Sequence, residues 1–238
     1  MPEKITIGDI SVDVVFKDIK NVHLSVHPPT GRIRIAAPER TSLDTLRIYA
    51  ISKLNWIRKQ QAKIQAQERE TQREYIERES HYLWGSRYLL RVEEVEAPPS
   101  VTLLHDEIVL FVRPNSDHAK REEVISAWYR EELRNAVTPL IPKWEKELGV
   151  QLNQLFIQRM KTRWGSCNHK KGNVRLNTEL AKKPRICLEY ILVHEMMHLL
   201  EPSHNQRFIG LMDQFLPQWR HYRNGLNQAP LGFVTWEY

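Results

Sequence analysis

Residues 191–200 read Ile-Leu-Val-His-Glu-Met-Met-His-Leu-Leu, and within them His194, Glu195 and His198 form the pattern H-E-x-x-H. On an α-helix, positions i and i+4 lie on one face, about 6 Å apart along the axis, so two imidazoles at that spacing can converge on one metal ion. Glu195 is one residue beyond the first histidine and projects beside such an ion rather than onto it. That suits a general base acting on water. The flanking residues Cys187, Leu188, Tyr190, Ile191, Leu192, Val193, Met196, Met197, Leu199 and Leu200 make the segment apolar nearly all round. A helix of that kind is buried, and two histidines and a glutamate on it need partners. A metal ion supplies them; the competing reading is a pair of hydrogen-bonded core histidines.

A catalytic tetrahedral site needs a third protein ligand and an open position. His204 is the candidate, with Glu201 as the competing carboxylate and Glu189 and His221 in reserve. Pro202 is expected to stop the first helix near Glu201. Ser203 with Gln206 resembles a capping box that begins the next helix, which makes His204 the first residue of that helix, after a tight reversal. Upstream, Arg163-Trp164-Gly165-Ser166-Cys167 followed by Asn173-Val174-Arg175-Leu176-Asn177 reads as strand, turn, strand. An edge strand beside a metal site can hold an extended peptide by strand addition, which makes Arg163, Trp164, Asn173, Arg175 and Asn177 candidate substrate-binding residues. Trp164 also reads as a core residue. Cys167 reads either as a nucleophile or as a small packing group.

The elements that position these residues are legible from hydrophobic period. Ile5 and Ile7, then Val12, Val14 and Phe16, then Val22, Leu24 and Val26, then Ile33 and Ile35 alternate between Pro/Gly punctuation, as in a small antiparallel sheet. A helix follows, capped by Thr41 or Ser42, with Leu43, Leu46, Ala50, Leu54 and Ile57 on its apolar face; the polar run from Gln60 to Ser80 extends it or links it onward. Strand patterning returns at Tyr88–Val92, Val101–Leu104 and Ile108–Val112. A long amphipathic stretch, 119–148, is divided by Pro139 and Pro142. Leu155 and Ile157 start another strand, and from Ile186 the chain reads as helical to about Leu226. No internal repeat is visible. The expected organisation is α+β. A β-rich part with helices occupies 1–115, including a long helix over about 43–80, and a second domain occupies 116–238.

The chain has 238 residues with 41% apolar residues, which rules out disorder along its length. No apolar run approaches the roughly 18 residues of a membrane span, and the N-terminus lacks the apolar stretch of a signal peptide. Two cysteines make no disulfide framework, so a cytoplasmic location is expected. The net charge is +6, yet residues 159–185 hold nine Lys and Arg against the single acid Glu179, so the remainder of the chain is net acidic. Such a segment is either a solvated face or a patch that attracts phosphate, nucleic acid or an acidic protein surface.

The run from Arg163-Trp164-Gly165-Ser166-Cys167 through Leu176-Asn177, Leu180, Pro184, His194-Glu195-x-x-His198 and His204-x-x-x-Phe208 resembles the YgjP-like metallopeptidase family, as do the N-terminal strands and the helix ending in Asn55-Trp56-Ile57. That family is related to the SprT and Spartan-type proteases. The resemblance implies a compact zincin-like metallopeptidase domain, Zn2+ held by His194, His198 and His204, and Glu195 as the base. It implies a peptidase acting on protein or peptide. Two other readings stay open: hydrolysis of nucleoside triphosphates at the same zinc site, and a protease recruited to DNA through segment 159–185. The tail 229–238 and the run after Gln60 fit the family pattern less well.

Overall fold

The computed structural model describes residues 3–27, 30–66, 73–160 and 163–228. They form two compact units that divide between residues 70 and 71. In the first, β1 (Glu3–Ile7), β2 (Ile10–Lys17), β3 (His23–His27) and β4 (Arg32–Pro38) are followed by α1 (Leu43–Ser52) and α2 (Leu54–Ala66). The sheet order is β1-β2-β4-β3. The expected antiparallel sheet is therefore mixed. Both outer pairs are antiparallel, but β4 lies between β2 and β3 and runs parallel to β2, with Val12 opposite Ile33 and Val14 opposite Ile35. Alternation puts Ile5, Val12, Val14, Ile33 and Ile35 on one face, where they close a separate core with Leu46, Ala50 and Ile57.

The expected long helix ends early. It breaks at Lys53, α2 reaches Ala66, and residues 73–79 are not helical; residues 67–72 lie outside the described residues. The Ser42 hydroxyl caps α1 by accepting from the Thr45 N–H at 3.2 Å.

In the second unit, β5 (Ser80–Leu83), β6 (Ser86–Glu94), β7 (Ser100–Leu103) and β8 (Glu107–Val112) form a sheet of order β5-β6-β8-β7. Its outer pairs are antiparallel and its central β6–β8 pair is parallel, so it repeats the pairing scheme of the first sheet strand for strand. Next come α3 (His118–Val137) and α4 (Leu140–Leu148), divided at Thr138-Pro139 as the prolines predict; Pro142 is tolerated in the first turn of α4. A three-stranded sheet follows: β9 (Gln154–Gln158), β10 (Gly165–Asn168) and β11 (Asn173–Asn177), in the order β10-β11-β9. A 3-10 turn, Thr178–Lys182, leads into α5 (Arg185–Met197), α6 (Gln206–Phe215) and α7 (Trp219–Gln228).

The boundary at 70/71 replaces the expected one at 115/116. The reason is packing. Leu83, Leu90, Ile108, Leu110 and Val112 of the second sheet share one continuous core with Ile125, Leu133, Leu192, Val193 and Met196, which joins that sheet to the helices instead of to the N-terminal strands. No helix among the described residues is long and apolar enough to cross a membrane.

Candidate metal centre

α5 carries the H-E-x-x-H residues, and nine of its side chains, from Cys187 to Met197, are buried. The helix is enclosed by α3, α4, α6, α7, β10 and β11, as its all-round apolar sequence predicts. It ends at Met197, with His198 as its C-cap residue. The chain then reverses through a short bonded bridge. Glu201 N–H donates to Met197 O at 3.0 Å, Ser203 N–H donates to the Glu201 carboxylate at 3.3 Å, and Asn205 N–H donates to Ser203 O at 2.8 Å.

The expected cap at Ser203 is corrected to Asn205, whose side chain accepts from Phe208 N–H at 3.0 Å. His204 therefore precedes α6 and is free of helical geometry, so it can turn back to α5. Its Nε2 lies 2.9 Å from His194 Nε2, and the ligand atoms of His194, His198 and His204 all lie within 4.8 Å of one another. His194 and His198 are partly buried and His204 is exposed, so the cluster opens to solvent on the His204 side. Phe208 closes the opposite side. It is 2% exposed, and its ring centroid is 5.0, 4.8 and 4.8 Å from those of His194, His198 and His204.

The protonation states suit a metal. Burial first, and then the neighbouring histidines, push His194 down to about 3; burial also lowers His198. Both imidazoles are neutral at pH 7 and carry a lone pair. His198 donates its Nδ1–H to Glu201 O at 3.1 Å, which fixes the tautomer and leaves Nε2 as its ligand atom. Two Nε2 atoms at 2.9 Å are a poor contact unless a proton or an ion lies between them, and His194 Nδ1 is buried without a partner among the described residues. Three convergent imidazoles are the donor set of divalent, nitrogen-preferring metals, so the residues fit such an ion. Glu201 is committed to the bridge and to Arg207 at 3.7 Å, and lies outside the cluster.

Glu195 is 6% exposed and faces β10. Burial raises its carboxyl to about 7, against the pull of the Arg163 guanidinium. Cys167, on the same strand, is a partly buried packing group whose thiol is pushed up to about 11 by burial and the Glu195 charge. The nucleophile reading of Cys167 has no support in that environment.

The other candidates separate. Trp164 is partly buried against the core, with Lys183 Nζ 6.0 Å from its ring centroid. Arg175 stacks on Phe156, 5.2 Å from the ring centroid, and Asn173 accepts from Asn153 at 3.1 Å. Asn177 is buried, and its side chain is spent inside the protein. Nδ2 donates to Met160 O (2.9 Å) and Arg163 O (2.8 Å), while Oδ1 accepts from the N–H groups of Met160 (3.3 Å) and Glu179 (3.2 Å). It anchors the segment that leads into β10. Glu189, a reserve ligand, instead accepts from Lys143 at 2.8 Å and Trp144 at 3.0 Å, tying α5 to α4. His221, the other reserve, is exposed beside Tyr222 and outside the cluster.

The basic run is not a single solvated face. Lys182 pairs with Glu179 at 2.8 Å, Arg159 with Glu122 at 3.1 Å, and Lys183 is 5% exposed; Lys161 lies outside the described residues.

The family model for the YgjP-like metallopeptidase domain matches residues 20–229, most of the chain. The chain belongs to the YgjP-like metallopeptidase family. The YgjP-like match spans the histidine cluster, Glu195 and β10 together. No curated protein matches the chain. Among solved structures, the metallopeptidase zymogen of Methanocaldococcus jannaschii jannalysin is similar at 20% identity, over 41% of this chain and 88% of that one, with a TM-score of 0.33. At that level the likeness adds nothing to the YgjP-like assignment. Sequence reasoning missed what Gly165 and Asn177 do. A glycine inside a strand pattern was the available signal for the first; for the second, an Asx residue immediately before a turn.

Proposed function

We propose that this YgjP-like protein is a zinc-dependent peptidase, with His194, His198 and His204 holding Zn2+ and Glu195 as the general base. The observation that carries the reading is the convergence of three imidazoles with a buried glutamate on α5, one residue from the first of them. When bound, the ion acidifies water and polarises a scissile carbonyl. Glu195 takes the proton of the attacking water on its carboxylate and delivers it to the leaving amine.

β10 supplies the means of holding an extended substrate. It is the edge of its sheet, and Asn177 N–H donates to Trp164 O at 2.8 Å. By antiparallel alternation, Ser166 and Asn168 also turn their main-chain groups toward β11, while Gly165 and Cys167 turn theirs to the free edge. A peptide added there runs past Glu195. This favours protein or peptide as the substrate class.

Elemental analysis of the purified protein is expected to give one zinc per chain. His204→Ala should empty the site, and full zinc in that variant would return Glu201 to consideration. Glu195→Gln should keep zinc and lose peptide hydrolysis by about 10²–10⁴-fold.

A further inference from the structure

We infer that Gly165 is a positioning residue for Glu195, a role that rests on the reading of Glu195 as the base. A Cβ built on Gly165 would lie 2.7 Å from Glu195 Cγ, 2.7 Å from Oε1 and 3.0 Å from Cδ. Unstrained carbon contacts sit at about 3.5–4.0 Å, so the strand backbone rests directly on the glutamate's side chain.

The glycine is there for space and not for conformation. Among the described residues the positive-φ glycines are Gly8, Gly31, Gly85, Gly149 and Gly172, and Gly165 is not among them, so its backbone would accept any residue. Neither partner can retreat cheaply. Cγ is one bond from the helix-borne Cβ, so relieving it means changing χ1 in a side chain only 6% exposed. The strand is held by its ladder to β11, by Asn177 N–H on Trp164 O, and by the Asn177 side chain on Met160 and Arg163. The bare backbone of Gly165 thus acts as a wall that confines the Glu195 carboxylate to one place. A methyl on that wall displaces the carboxylate while leaving every main-chain N–H and C=O of β10 intact.

The test is Gly165→Ala in three backgrounds of the full chain. With wild-type Glu195, kcat for a peptide substrate should fall about 10²-fold, the scale of a 1 Å misplacement, with zinc content and KM unchanged. The zinc-free protein should melt lower on Gly165→Ala when residue 195 is Glu, and equally so in Glu195→Gln, which keeps the shape. In Glu195→Ala the penalty should vanish, because the new methyl occupies the vacated space. Failure of Gly165→Ala to fold, with recovery in the Glu195→Ala background, would support the same contact. Wild-type kcat in Gly165→Ala, or an equal melting penalty in all three backgrounds, would overturn the proposal. A fall in activity seen only in KM would also overturn it, because the wall would then serve substrate pairing. Full hydrolysis by Glu195→Gln alone would remove the base reading and leave the packing contact to be judged by melting.

Discussion

The hairpin turns Gly8-Asp9 and Trp84-Gly85 occupy the same place in two sheets with the same strand order and pairing, and they meet different surroundings. A Cβ on Gly8 would meet no described atom within 4 Å. A Cβ on Gly85 would lie 3.0 Å from Cγ of Pro184, the N-cap residue of α5. Trp84 adds to this junction. Its main-chain N–H donates to Ala181 O at 2.8 Å, and the Arg185 guanidinium stacks 4.4 Å from its ring centroid. One topology therefore serves two ends. The first sheet closes on its own helices, whereas the second uses its first turn to hold the start of the helix that carries His194, Glu195 and His198.

Core truncation should separate the two most strongly. Ile35 and Ile108 are both fully buried, one in each sheet's central parallel pair. Each Ile→Ala change is expected to cost about 2–5 kcal/mol. In Ile108→Ala, calorimetry should show the transition stabilised by added zinc moving down. In Ile35→Ala that transition, and peptidase activity at 25 °C, should stay where they are. Loss of zinc from Ile35→Ala would break the comparison.

The turns themselves come next. Gly8 and Gly85 have φ of +60° and +85°, so alanine at either is strained by about 1–2 kcal/mol. Gly85→Ala should cost more than Gly8→Ala in urea titrations, because it also presses on Pro184. Equal costs would mean that the junction to α5 yields freely.

Smaller effects belong to the helix caps that follow each sheet. Ser42 accepts from Thr45 N–H at 3.2 Å, and Asp117 accepts from Lys120 N–H at 2.8 Å. Replacement by Ala should cost about 1 kcal/mol at either, with Asp117 the larger loss because its bond is charge-assisted and it opposes the helix dipole.

The smallest difference is in pH dependence. Burial lowers His81 in β5, more than Glu79 raises it, so the folded protein favours the neutral ring. Its contribution is complete above the unfolded value near 6.5 and is lost as pH falls below it. Melting followed from pH 7.5 to 5 should be flatter in His81→Gln than in the parent chain.

The repeated sheet was invisible in the sequence because the two copies share pairing, not residues. Alternation at Ile5–Phe16, Ile33–Ile35, Tyr88–Val92 and Ile108–Val112 marks strands locally, but nothing local says that β4 inserts beside β2 or β8 beside β6. β5 was lost altogether, since Ser80-His81-Tyr82-Leu83 is short and follows a polar run. The site was more legible. The spacing of His194, Glu195 and His198 carries its own geometry, and the fold brings His204 together with the two histidines of that spacing. Its cap was misread because Ser203 and Asn205 are both capping types, and only the fold decides which one starts the helix. Asn177 was misread because a polar residue near a site looks the same whether it faces a ligand or anchors a loop.

The three histidines are not equivalent in how they are tethered. Two belong to the rigid end of α5, while His204 stands on a bridge of a few residues between two helices and is the exposed member. For the proposed ion this sets an order of assembly. Were the ion held as proposed, capture would begin on the α5 pair and His204 would close last and open first, so the residence time would be governed by the bridge from Leu199 to Asn205 rather than by the helix that carries the motif.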